Sequence, residues 1–145
     1  MTAFQLDKGN SQVTITSITC GPGHGISVGS LGKYPNEGDV SGLVVRDCTI
    51  SGTTNGIRIK TWANSPGRSA ATNMTFTNIV MNNNIRGTSS SEVAVALECS
   101  KGIPCQNIYL EDVHLDLSSG KKEATSTCSN VKAKFIGTQI PPPCT

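Results

Sequence analysis

The sequence predicts an all-β chain wound into a right-handed, single-stranded parallel β-helix of about four to five coils. Three observations carry that expectation. Gly, Ser, Thr and Asn supply 58 of the 145 residues while aromatics supply only 4%, a composition of turns and short strands rather than helices. Apolar and polar residues alternate in short runs, so each run has one face to bury and one to expose to solvent. These runs return at a nearly constant interval, the mark of stacked structural repeats.

Four segments align: Val13-Thr-Ile-Thr-Ser-Ile-Thr-Cys20, Leu43-Val-Val-Arg-Asp-Cys-Thr-Ile50, Met74-Thr-Phe-Thr-Asn-Ile-Val-Met81 and Ile108-Tyr-Leu-Glu-Asp-Val-His-Leu115. Their starts lie 30, 31 and 34 residues apart. A turn rich in Gly or Ser follows each of the first three. A second alternating run then appears, at Ile26 to Leu31, Ile57 to Trp62 and Val93 to Leu97. Val131 to Ile136 reads as a closing turn, and Asn78, Asn107 and Asn130 fall at or near the expected strand edges, where turns suit them. No ten-residue segment carries a helical stripe. A β-sandwich also uses many short strands, but sandwiches rarely repeat a 30-residue unit in matching phase.

One domain spanning residues 1–145 fits this length. Residues 1–9 precede the repeats and are expected to be a poorly ordered or non-native start. Residues 137–145, ending in Pro141-Pro-Pro143 and Cys144, are expected to cap the last coil, whose open strand edges need cover. The net charge of +2 is spread over single basic residues apart from Lys121-Lys122, so no footprint for nucleic acid or a membrane surface is present. Any anionic partner must be met locally. The longest apolar run is Val93 to Leu97, and Met1 to Asn10 lacks a signal peptide's apolar stretch. No cofactor is implied, and a monomer is expected.

Six cysteines, Cys20, Cys48, Cys99, Cys105, Cys128 and Cys144, point to an oxidising compartment, against the missing export signal. With no Cys-x-x-Cys, and with His24 and His114 far apart in the chain, a zinc site is disfavoured. Disulfides are the better reading, although an even number does not fix three of them. Cys99 and Cys105 bracket a five-residue loop and Cys128 and Cys144 bracket the tail, so each pair could close locally. Cys20 and Cys48 sit on different repeats, where a small buried hydrophobe is as good a reading as a bridge.

Cys20-Gly-Pro-Gly-His-Gly-Ile-Ser-Val-Gly-Ser-Leu-Gly32, followed one coil later by Asn55-Gly-Ile-Arg-Ile-Lys-Thr-Trp62, resembles the plant polygalacturonases of glycoside hydrolase family 28, particularly the exopolygalacturonase type abundant in pollen. The resemblance runs from about Asn10 to Thr145 and includes Ile85-Arg-Gly-Thr-Ser89, Cys99 to Cys105 and the terminal Pro-Pro-Pro-Cys144. It implies a secreted, cell-wall β-helix that cleaves α-1,4-galacturonan with inversion.

Galacturonan bears a carboxylate on every sugar, so its cleft needs cations aimed at single carboxylates. Arg58 and Lys60 stand two residues apart on one strand, alternating with Ile57 and Ile59, which point the other way. Both charges therefore project from one face. Without the family signature, two solvated surface cations would be the preferred reading. His24 lies between Gly23 and Gly25, which let the backbone approach closely and leave the imidazole open. By resemblance it positions the sugar and tunes the catalytic carboxylates; an isolated loop histidine would otherwise be read as bonded to backbone. No helix follows the Gly21-x-Gly23-x-Gly25 spacing, so a phosphate cradle is disfavoured.

Inversion needs one carboxylic acid to protonate the leaving oxygen and one carboxylate to activate water. The resemblance implies an Asn-Thr-Asp motif and an Asp-Asp motif ahead of Gly-His-Gly, and neither string occurs in the 145 residues. Asp7 stands alone and is not promoted to catalytic acid. Glu98 and the other acidic residues read as solvated surface carboxylates. A second departure follows Met81, where about one further coil with a tyrosine near the substrate is expected. Here Ile79-Val-Met-Asn-Asn runs directly into Asn84-Ile-Arg-Gly. Met74 to Met81 could take the missing strand's place and close the stack in phase.

Three functions are therefore weighed: the truncated C-terminal part of a hydrolase, inactive alone; a non-catalytic pectin-binding module using Arg58 and Lys60; and a structural or allergenic β-helix piece without ligand. A lyase of the same fold would call for an acidic calcium-binding cluster near an arginine, and none is evident. Asn73-Met-Thr75 is the single glycosylation sequon, relevant if the chain is exported. An Asp-Asp-Cys segment upstream would supply both the acids and a partner for Cys20. The expected cysteine state is thus Cys99–Cys105, Cys128–Cys144, a separated Cys20 and a buried Cys48 thiol.

Overall fold

A computed structural model describes residues 4–66, 68–82, 92–116 and 123–145. The resembling stretch Ile85 to Ser89 and the pair Lys121-Lys122 lie outside them. Eleven strands occur among the described residues: β1 (Phe4–Leu6), β2 (Ser11–Thr16), β3 (Thr19–Cys20), β4 (Ile26–Leu31), β5 (Val40–Ser51), β6 (Ile57–Thr61), β7 (Ala71–Asn82), β8 (Val93–Glu98), β9 (Cys105–Leu115), β10 (Thr125–Ser129) and β11 (Val131–Ile140).

Every pairing among the described residues is parallel, and the strands alternate between two sheets as the chain winds. The first sheet runs β1-β4-β6-β8-β10; the second runs β11-β9-β7-β5-β2, with β3 also on β5. The expected parallel solenoid is therefore present. Phe4–Leu6, inside the stretch expected to be a loose start, pairs with Ile26, Ser27 and Val28 of β4, and Leu6 is buried. At the other end β11 carries the chain in strand as far as Ile140, before the proline tail.

Like stacks on like between the sheets. In the first sheet Ile26, Ile57 and Val95 form one buried row, and Val28, Ile59 and Leu97 form the next. In the second sheet Leu43, Met74 and Ile108 align, as do Val45, Phe76 and Leu110. This vertical matching explains the near-constant sequence interval. A repeat can bury its apolar row only against the corresponding row of its neighbours.

The long strands β5, β7 and β9 are not simple alternators. Two exposed residues occur in succession at Arg46-Asp47 and at Gln106-Asn107. Both breaks coincide with left-handed backbone: Ser17, Asp47, Asn78, Asp112 and Gly137 form one column with φ between 49° and 67°. Gln12, Gly42, Asn73 and Asn107 form a second. One such residue per coil flips the facing of everything after it and bends the strand around the core. Asn and Asp tolerate that region because a short polar side chain bonds locally. Asn78 Nδ2 donates to Asp47 Oδ1 at 2.8 Å and Asn107 Nδ2 to Asn73 Oδ1 at 2.9 Å, so the bends are linked from coil to coil. Asn78 thus lies inside β7 rather than near its edge, whereas Asn107 is the third residue of β9 and Asn130 sits between β10 and β11.

The stack also closes after β7. Ile57 and Ile59 of β6 pair with Val95 and Leu97 of β8, and Met74 and Ile79 of β7 pair with Ile108 and Val113 of β9. Apolar rows continue across the point where a further coil was expected.

Candidate functional site

The outer face of the first sheet is built around β6, where Ile57, Ile59 and Thr61 point into the core and Arg58 and Lys60 point out, half-buried. Across the sheet Arg58 is level with Ser27 on β4 and Ala96 on β8. Both of these neighbours are small side chains. Lys60 is level with Glu98 of β8, which the sequence reading treated as an ordinary surface carboxylate. No described carboxylate lies within 4 Å of Arg58 or Lys60. The pair's charges are therefore not cancelled by direct ion pairing on this face.

His24 lies one coil earlier, in the loop between β3 and β4, and is exposed. The loop is fixed against the next coil by an isolated bridge between Gly23 and Thr53, by Thr54 N–H donating to the Gly23 carbonyl at 2.8 Å and by Ile26 N–H donating to that of Gly56 at 2.9 Å. Gly25 has φ +87°, and a Cβ there would run into the Asn55 carbonyl oxygen. Only glycine permits the approach that carries His24 beside the Asn55-Gly56 turn. That turn is itself held from within: Thr53 Oγ1 donates to the Asn55 carbonyl at 2.8 Å, and Asn55 Nδ2 donates to the Val93 carbonyl. Counting along the register, His24 and Arg58 are separated by one strand spacing and about three residues, on the order of 10 Å. His24 therefore lies ahead of the Arg58/Lys60 strand on the neighbouring coil, and all three residues reach solvent.

Cys99 is joined to Cys105 and Cys128 to Cys144, with Cα–Cα distances of 5.8 and 5.6 Å. The first closes the loop between β8 and β9; the second ties the tail back to β10. Cys20 and Cys48 are free thiols, Cys48 buried and Cys20 partly so. Burial, and then the neighbouring Cys48, push the Cys20 thiol above its ordinary range. Cys48 donates to the Arg46 carbonyl at 3.2 Å. Asp7 caps its own loop, its carboxylate accepting from Lys8 N–H at 2.9 Å and its carbonyl from Asn10 Nδ2. Asn73 of the sequon is exposed, and its amide joins the asparagine column, donating to Ser41 Oγ at 3.3 Å and accepting from Asn107.

Sequence reasoning missed two features of this face. Glu98 was not placed there because its neighbour Lys60 lies 38 residues away in the chain, and their meeting depends on β8 packing directly on β6. The exposed aromatics Tyr34 and Trp62 were also passed over. The alternation of Arg58, Lys60 and Trp62 on one parity was the available signal.

The fold and this face define a class, a parallel β-solenoid with a glycine-framed histidine and an Arg/Lys pair that has no described carboxylate within 4 Å. Comparison with known proteins makes that class specific: the profile of glycosyl hydrolases family 28 matches residues 4–84 and 82–137, and the chain belongs to this family of glycosidases. An exopolygalacturonase of Platanus acerifolia is 45% identical, over 95% of this chain and 45% of its own length. One from Oenothera organensis is 42% identical over 97% of this chain and 48% of its own, and a polygalacturonase of Brassica napus is 36% identical over 97% and 44%. The chain spans a little under half the length of these curated relatives. The Platanus alignment extends over 171 positions, whereas 95% of the 145 residues is about 138. About 33 positions, close to one repeat, thus have no counterpart here, and the family match is itself divided around residues 82–84.

Proposed function

We propose that this chain is the galacturonan-binding part of a secreted plant cell-wall polygalacturonase, with Arg58 and Lys60 contacting sugar carboxylates and His24 positioning the ring. The observation that carries the reading is the Arg58/Lys60 pair, two cations on one strand face without a described carboxylate within 4 Å. The relatives named polygalacturonase and exopolygalacturonase support the substrate class. Inverting hydrolysis needs two carboxyl groups roughly 6.5–9.5 Å apart. The sequence holds neither Asn-Thr-Asp nor Asp-Asp, and Asp7 is engaged with its own loop. On this reading the 145 residues alone bind galacturonan, as a monomer, without hydrolysing it. If the chain is exported, Asn73 is the glycan acceptor, modified before its amide enters the asparagine column.

The test pairs calorimetric titration with hexagalacturonate and a reducing-end assay on polygalacturonate. Arg58→Ala should weaken binding about tenfold, as expected for one charge-assisted contact, and added salt should weaken it further. Binding indifferent to Arg58→Ala and Lys60→Ala would overturn the assignment of this face. Turnover abolished by Asp7→Asn or His24→Ala would overturn the claim of inactivity.

A further inference from the structure

The chain contains six aromatic side chains, yet Tyr34 and its single tryptophan, Trp62, are 54% and 44% exposed and converge on one ammonium. Lys33 Nζ lies 5.3 Å from the Tyr34 ring centroid and 5.6 Å from that of Trp62. Lys8 Nζ approaches Tyr34 at 5.7 Å. Exposing scarce aromatics around a cation forgoes the apolar burial they would otherwise contribute.

The arrangement is held by the coil beneath it. Trp62 N–H donates to the Leu31 carbonyl at 2.9 Å, and Ser65 Oγ donates to that of Gly32 at 2.9 Å, so the segments after β4 and β6 are tied together. Glu37 turns inward, its side chain 6% exposed. It accepts from Gly32 N–H at 2.6 Å and Tyr34 N–H at 3.3 Å and pairs with Lys8 Nζ at 3.8 Å. The nearby negative charge is thus satisfied below the surface, while Lys33 has no described carboxylate within 4 Å. Trp62 continues the outward parity of Arg58 and Lys60, about 7 Å beyond Lys60 along the strand direction.

We propose that Tyr34, Lys33 and Trp62 form a second carbohydrate subsite, in which a uronic acid ring lies on an exposed aromatic face and its carboxylate meets the Lys33 ammonium. A sugar ring's C–H face suits an aromatic surface, and the cation selects an acidic sugar over a neutral one. The inference rests on the reading of the β6 face as a galacturonan site, which it extends by one position along the polymer.

Trp62 provides its own optical probe. Hexagalacturonate should change the emission of the 145-residue chain saturably, whereas fully methyl-esterified hexamer should act only at much higher concentration. Lys33→Ala should weaken the hexamer about fivefold to tenfold by calorimetry. Hexamer binding that depends on Arg58 but leaves Trp62 emission unmoved would overturn the subsite and spare the β6 reading. An emission change that survives Arg58→Ala and Lys60→Ala in full would sustain the subsite and sink the β6 reading. Absence of binding by both methods would overturn both.

Discussion

Lys60 and Glu98 stand level with one another across the β6–β8 pair, on the outward face, without closing to within 4 Å. Glu98 thus adds a negative charge beside a row proposed to receive carboxylates. Replacing it by Gln keeps its shape and removes that charge. Glu98→Gln should tighten hexagalacturonate binding about threefold at low salt, with the gain fading as ionic strength rises. An affinity unchanged at low salt would mean that Glu98 does not reach the ligand path.

Gly25 and Gly9 separate two costs that are usually confounded. Both have positive φ, +87° and +78°, but a Cβ on Gly9 would meet nothing within 4 Å, whereas one on Gly25 would strike the Asn55 carbonyl. Gly9→Ala should cost about 1 kcal/mol, the backbone penalty alone. Gly25→Ala should cost about 3 kcal/mol or more and displace the His24 loop. Urea melts of the two variants check this, and equal losses would refute the proposed close approach.

The asparagine column makes a similar separation possible at Asn78, where φ is +51° and the amide bonds Asp47. Asn78→Ala loses both the tolerated conformation and the hydrogen bond, about 2 kcal/mol together. Asn78→Gly loses only the bond and should cost about 1 kcal/mol. If Ala is the milder replacement, left-handed strain does not govern this column.

The columns also mark where sequence reading stopped. Solenoid and strand order were legible because inward Val, Ile, Leu and Met repeat at the coil interval, and the β6 face because its alternation is unbroken from Ile57 to Thr61. Asn78 looked like a strand edge because one left-handed residue reverses facing, which mimics the end of an alternating run. Register brings Glu98 beside Lys60, and two segments 28 residues apart bring Lys33 between Tyr34 and Trp62; no local pattern announces either.

Cys20 and Cys48 supply the pH-dependent prediction. Desolvation of Cys20, with Cys48 adding to it, raises the thiol above its ordinary value of 9.0. The thiolate is the reactive form, so at pH 8 Cys20 should alkylate with iodoacetamide more slowly than the same residue in the urea-unfolded chain, and accelerate steeply above pH 9. Cys48, buried and bonded to the Arg46 carbonyl, should react only on unfolding. The sign for stability follows from proton binding. The folded state holds the Cys20 proton more tightly, so this contribution is complete below the unfolded thiol's pKa and is lost as pH rises through the folded value. Cys20→Ser should flatten that alkaline decline in a urea-melt series. Rapid labelling of Cys20 in the folded chain at pH 8 would refute the burial-driven shift.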